Sequence, residues 1–169
     1  HTQRRRQRQM CIRDRYGTEA LGVMRIEKGH AAGNELNGQT TANNLGLGKM
    51  VSKLNDCIGN TMSEREELNK ENTLKLVGFI PTNKNQSLVA GSHFIEKGQT
   101  ENLENDQGWM SSVAFSPMLK HSIGLGYIIR GNQRYGEKVH AVNPLRKEII
   151  EVEIHSPHFY DPEGELLRG

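Results

Sequence analysis

KEIIEVEIH, residues 147–155, alternates without a break: Ile150, Val152 and Ile154 fall on one side of an extended chain, Glu151, Glu153 and His155 on the other. A period of two with one apolar face is the signature of a half-buried β-strand. Working back towards the N-terminus, similar short segments recur between turn signals. LKLVGFI (74–80) stops at Pro81, LVAGSHFIE (88–96) precedes a polar excursion, and GWMSSVAF (108–115) is closed by Ser116-Pro117. HSIGLGYIIR (121–130) ends at Gly131-Asn132, and EKVHAVN (137–143) ends at Pro144. Six short strands separated by turns predict an antiparallel barrel or sandwich over residues 74–169.

Ahead of the strands the texture differs. Residues 18–28 read as a short helix with Thr18 as N-cap and Leu21, Met24 and Ile26 on one side. Gly29 stops it, and Lys28 suits its negative end. Arg25 and Glu27 are two apart, so they do not form an ion pair along the helix. Gly33-Asn34 and Asn37-Gly38 mark turns. LGLGKMVS (45–52) is expected to be extended, Asp56 to Gly59 to form a turn, and Ser63-Glu64-Arg65-Glu66 to be the capping box of a short helix. Residues 69–73 read as the linker into the strands. The fold class is therefore α+β, mostly β.

Residues 1–15, HTQRRRQRQMCIRDR, carry six Arg and one Asp and almost nothing apolar. They resemble translated sequencing-adapter sequence and are expected to be disordered and foreign to the fold. The whole chain, with 22 basic and 20 acidic residues, has a formal charge of +2. Without the leader 16 basic residues face 19 acidic ones, a charge of −3, so no nucleic-acid partner is expected. No apolar run approaches the roughly 20 residues of a membrane span, which predicts no membrane partner and fits a cytoplasmic protein. Cys11 and Cys57 are the only cysteines and support no disulfide framework; Cys57 is expected to be partly buried. The hydrophobic fraction of 34% predicts a modest core, as in a piece of a larger protein.

Three constellations invite a chemical reading. His155, His158 and Asp161 are ligand types close together, but Pro157 prevents one regular element from presenting both imidazoles, and no metal site is expected. His93, His121 and His140 stand alone in strands. Gly46/Gly48 and Gly124/Gly126 each lack the third glycine of a dinucleotide fingerprint, where Val51 and Ile129 stand, and are expected to serve close backbone packing. Arg25 and Glu27 remain. A carboxylate can pair the N–H groups of a ligand, and an arginine can hold a ligand carboxylate. The same two side chains can equally anchor the helix to the barrel.

GTEALGVMRIEKGHAAGNEL (17–36) and LGLGKMVS (45–52) resemble the C-terminal region of the alpha subunits of bacterial heterotetrameric sarcosine oxidases. Arg25-Ile26-Glu27-Lys28-Gly29 is similar to the RLEAG segment of the aminomethyltransferases, the T-proteins of the glycine cleavage system. The resemblance continues through GWMSSVAFSPMLKHSIGLGYI (108–128) and SPHFYDPEGE (156–165). It implies that residues 16–73 end a folate-binding aminomethyltransferase-like domain and that residues 74–169 form a six-stranded C-terminal barrel of that type. It implies a tetrahydrofolate site touched by Arg25 and Glu27, with NAD and flavin elsewhere in the intact enzyme and with beta, gamma and delta subunits as partners. In that enzyme a flavin takes a hydride equivalent from the N-methyl group of sarcosine. Tetrahydrofolate then captures the carbon as methylenetetrahydrofolate, with glycine and hydrogen peroxide as the other products.

The family's catalytic aspartate precedes the region resembled here, so no catalytic residue is expected. Leu21 stands where aminomethyltransferases carry an arginine linked to folate, and Lys49 where they commonly have an aromatic residue. A T-protein-like transferase, a relative of dimethylglycine dehydrogenase, or a barrel used only for subunit docking are the alternatives.

Overall fold

A computed structural model describes residues 17–51 and 58–168. The leader and Cys57 lie outside the described residues, and so do the readings made for them. Six strands, β1 (Leu74–Pro81), β2 (His93–Ile95), β3 (Gly108–Ser116), β4 (His121–Ile129), β5 (Lys138–Asn143) and β6 (Glu148–His155), close into an antiparallel barrel in the order β1-β4-β3-β2-β5-β6. Closure leaves the sheet without an edge, the most complete answer to unpaired backbone groups. Of the barrel and the sandwich that the strand pattern leaves open, the barrel is observed, as the resemblance implies.

Along β6, Val152 and Ile154 are fully buried and Ile150 nearly so, while Glu151, Glu153 and His155 are half-exposed. Val152 stands opposite Val139 of β5 and Pro81 of β1. The interior is filled by Val77, Phe79, Phe94, Met110 and Ile128 from the other strands, with the Phe79 and Phe94 rings stacked 4.0 Å apart. That stack explains HSIGLGYII. A Cβ on Gly126 would lie 3.0 Å from the Phe79 ring and 2.6 Å from the Trp109 carbonyl oxygen. The glycine leaves room for an aromatic on the neighbouring strand, and no phosphate cradle is involved.

β4 is buried on both faces, because its outer residues Ile123, Leu125 and Tyr127 are covered by Ile26 at the end of a helix and by Ala31, Leu45 and Phe159 from the loops. That helix is α1 (Thr18–Glu27), followed by two single turns, α2 (Asn60–Ser63) and α3 (Glu165–Arg168). Only the C-terminal end of α1 enters the core, through Ile26; Leu21 and Met24 are about half exposed, against expectation. The cap also differs: Gly17 is the N-cap, without a side-chain hydrogen bond, and Thr18 is the first helical residue.

Three further local readings are corrected. Within the stretch 45–52, residues 45–50 are not extended. Gly46 adopts φ +76° in a turn, and Gly48–Met50 form a single 3-10 turn. The proposed capping box falls where α2 ends, and Glu66–Leu68 form a separate 3-10 turn. The strand expected over 88–96 shrinks to His93–Ile95, although Leu88 still reaches the core.

The end of α1 is fastened by the segment after β6. The Glu27 carbonyl accepts from the amides of Phe159 (2.9 Å) and Tyr160 (3.0 Å). Nδ1 of His158 donates to the Lys28 carbonyl at 2.8 Å, and Lys28 pairs with Asp161 at 3.2 Å. Gly29 makes the fit possible. Its φ is +73°, and a Cβ there would lie 2.5 Å from the Pro157 carbonyl oxygen. Gly29→Ala is expected to cost about 2 kcal/mol or more, from left-handed strain plus displacement of the 156–158 turn. Chemical denaturation measures it.

Candidate functional site

The outer face of β3 carries an irregularity that organises everything beside it. Met110 faces Gly126 on β4, and Ser112 faces Leu125, so Ser111 is the extra residue of a β-bulge. Neighbouring residues of a regular strand point to opposite faces; a bulge re-aims one of them. Here both hydroxyls reach the same atom. Ser111 Oγ and Ser112 Oγ each donate to Glu35 Oε1 at 2.6 Å.

Glu35 belongs to the loop after α1 and is fully buried. Its Oε2 accepts from the Ala32 amide at 2.9 Å and from Arg25 Nη1 at 3.2 Å. Its carbonyl accepts from the Tyr127 phenol at 2.7 Å and from Thr40 Oγ1 at 3.0 Å. Burial pushes the carboxyl upward, but the two serine hydroxyls, the Ala32 amide and Arg25 outweigh it, and the group is held below the ordinary carboxylate range. It is therefore ionised at neutral pH. Burial also raises the Tyr127 phenol, which stays a neutral donor.

Arg25 completes the cluster. Besides Glu35, its guanidinium donates to Ser112 Oγ at 2.8 Å and to the His30 carbonyl at 3.3 Å. These bonds occupy three of the five guanidinium N–H groups, and the side chain is 22% exposed. Its open edge faces a groove of about 890 Å³ between α1 and β3, walled by Val23, Ile26, Asn34, Val113 and Phe115. Glu27 stands differently. It is buried, and its Oε1 accepts from Ser116 Oγ at 2.6 Å. Arg25 and Glu27 do not pair with each other. Each is tied to the far strand β3, one through Ser112 and one through Ser116.

The histidine constellation disperses. His155 stacks on the Phe159 ring and holds the Ser156 carbonyl, His158 holds the Lys28 carbonyl, and Asp161 is taken by Lys28 and the Glu165 amide. Among the described residues no group of three or more His, Cys, Asp or Glu could hold a metal ion. His93 pairs with Asp106, and His121 is buried against the Ser122 carbonyl. No described helix is long and apolar enough to cross a membrane.

Glu35 and its serines were missed from the sequence, where residues 30–44 read as a polar loop with turns. One signal was present. From Ala31 to Gly48 Glu35 is the only ionisable side chain, and a lone carboxylate in a neutral loop is a candidate for burial.

Gly124 and Gly126 lie inside β4, where they serve close packing. Arg25 is the one cation among the described residues lining the groove between α1 and β3, which also include Glu19, and it is the group that could hold a ligand carboxylate there. Glu35 has both oxygens occupied, whereas Glu27 gives Oε1 to Ser116 and does not line the groove beside Arg25.

The chain matches the family described as the glycine cleavage T-protein C-terminal barrel domain over residues 75–161. Over 153 residues, 90% of its length, it is 41% identical to the sarcosine oxidase subunit alpha of Rhizobium meliloti. Over 157 residues it is 32% identical to the sarcosine oxidase subunit alpha of Corynebacterium sp. (strain P-1). It spans 16% of the length of each. Among solved structures, the glycine cleavage system aminomethyltransferase T from Bartonella henselae superposes with a TM-score of 0.66 at 23% identity, covering 85% of this chain and 38% of that one. At that identity the likeness speaks for the fold alone.

Proposed function

The chain belongs to the glycine cleavage T-protein C-terminal barrel domain family, and on that premise we propose that it is part of a sarcosine oxidase alpha subunit, in the region that handles folate. One observation carries this reading. The 41% identity to the Rhizobium meliloti subunit runs over 153 residues, well beyond the barrel, and so takes in α1 and the loop bearing Glu35. In this reading residues 16–73 close an aminomethyltransferase-like domain and residues 74–169 are its barrel. NAD and flavin bind elsewhere in the intact enzyme, the beta, gamma and delta subunits are partners, and the setting is the cytoplasm.

Arg25 is the residue through which this chain meets the folate, its open edge offered to a carboxylate in the groove along α1. Glu27 and Glu35 set its position: they hold α1 and its loop on β3. Tetrahydrofolate supplies the nitrogens that take up a one-carbon unit; the part of this chain is to orient it and keep water from one side. No proton-transfer step falls to the residues present.

The test is calorimetric titration of the 169-residue chain with tetrahydrofolate under reducing conditions. A ligand of this size needs most of its surface enclosed, and one groove cannot do that. The expected affinity is roughly millimolar, about 4 kcal/mol weaker than a micromolar site, without sarcosine oxidation. A micromolar constant abolished by Glu27→Ala would overturn the assignment and make Glu27 a ligand.

A further inference from the structure

We propose that the groove bounded by residues 29–31, 43–49 and 156–158 binds a small organic polycarboxylate, with Lys49 and Lys75 as its charge partners. This groove, of about 830 Å³, is separate from the one along α1: neither Arg25 nor Glu27 lines it. The proposal goes beyond the folate reading and does not depend on it.

The walls are held in place. The turn at 41–47 is closed by its own backbone bonds, and it is fixed to β1 by the Leu76 amide donating to the Asn44 carbonyl at 2.8 Å and by Asn44 Nδ2 donating to the Leu74 carbonyl at 2.6 Å. The 156–158 turn is fixed by the Gly29–Pro157 approach and by His158 on the Lys28 carbonyl. A groove with fixed walls binds without first ordering its own loops.

The charge is one-sided. Lys49, Lys75, His30 and His158 line the groove, and none of the described residues lining it is Asp or Glu. The contact recorded for Lys75 Nζ is the Asn43 carbonyl, at 3.3 Å. Burial lowers the Lys75 pKa, and an arriving anion would raise it again.

The size and lining decide the class of anion. Leu45, Leu47, Leu76 and Pro157 give the groove an apolar surface, with the Asn43 and Asn132 amides among it. A bare phosphate would leave most of 830 Å³ unfilled. A hydrocarbon frame carrying two or three carboxylates covers the leucines and brings charge to ammonium groups, which act as point charges and do not demand the two-pronged geometry of arginine.

Titration of the full chain with tricarballylate at low ionic strength tests the assignment, beside inorganic phosphate and the neutral tricarboxamide of the same skeleton. The expected result is saturable tricarballylate binding at roughly 1 mM, with the tricarboxamide and phosphate at least about tenfold weaker. Lys75→Met and Lys49→Met should each weaken binding about tenfold, while Lys70→Met, whose partner is Glu67, should not. Lys49 is exposed, so its variant reads binding without risk to folding. Absence of saturable binding, phosphate as tight as tricarballylate, or indifference to both Lys75→Met and Lys49→Met would overturn the proposal.

Discussion

Val152→Asp is expected to destabilise the protein by on the order of 3 kcal/mol or more, a large share of the stability of an ordinary domain. Val152 is fully buried inside the closed barrel, with Val139 and Pro81 opposite it on the two flanking strands. The buried cluster around it is made of Val, Phe, Leu, Met, Ile and Ala side chains and has no donor for a carboxylate. Aspartate there must either be buried charged and unpaired or take up a proton at a large cost in pKa. Glu153→Ala, one residue on and half-exposed, should change stability by less than about 0.5 kcal/mol. Urea denaturation of the two variants side by side reads the difference. A wild-type midpoint for Val152→Asp would mean that the inside and outside of β6 had been exchanged.

That contrast also shows what the sequence could convey. β6 has solvent-facing polar groups on one side and the barrel interior on the other, so its period of two survives into the letters. β4 is covered on both faces, and HSIGLGYII accordingly shows no alternation of polarity; Gly126 records the Phe79 ring on the neighbouring strand, and Gly124 the Met110 and Leu88 side chains. Strand order is a long-range property, and the closure of β1 on both β4 and β6 is written in no local spacing.

Helix α1 misled because amphipathic patterning assumes that a helix lies along the core. This one enters end-on, burying Ile26 and Glu27 and leaving Leu21 and Met24 outward. LGLG misled for a different reason: alternating Leu and Gly satisfies a period of two, yet glycine at φ +76° makes a turn. The site was half legible. Arg25 and Glu27 could be singled out by type and position. Their partners could not, because Ser112 and Ser116 lie 87 and 89 residues away. Glu35 is separated from Ser111 by 76 residues, and the bulge that aims both serines at it follows from sheet register.

Glu35→Ala is the second large effect expected, and it separates the anchor from its consequence. Removing the carboxylate leaves Ser111 and Ser112 without the acceptor they share, frees the Ala32 amide, and takes the counter-charge from Arg25. Breaking one side of a buried ion pair commonly costs about 3–5 kcal/mol. Arg25 retains an exposed edge, so water recovers part of that, and about 2–4 kcal/mol is expected. Glu35→Gln keeps the shape and one acceptor oxygen, and it should lose less.

Acid supplies an independent reading. Because the Glu35 carboxyl lies below its ordinary value of 4.5 in the folded protein, its contribution is fully present above that value and is lost as pH falls through the folded one. Wild-type stability should therefore decline on acidification below about pH 4.5. Asp161 contributes in the same direction: burial raises its carboxyl, but Lys28 and the amides of Glu165 and Leu166 hold it low. The share belonging to Glu35 is the difference in slope between wild type and Glu35→Gln, measured by denaturation at a series of pH values. Parallel slopes would show that the serine cradle holds a neutral acid, and Arg25 would then be set in place by Ser112 and the His30 carbonyl alone.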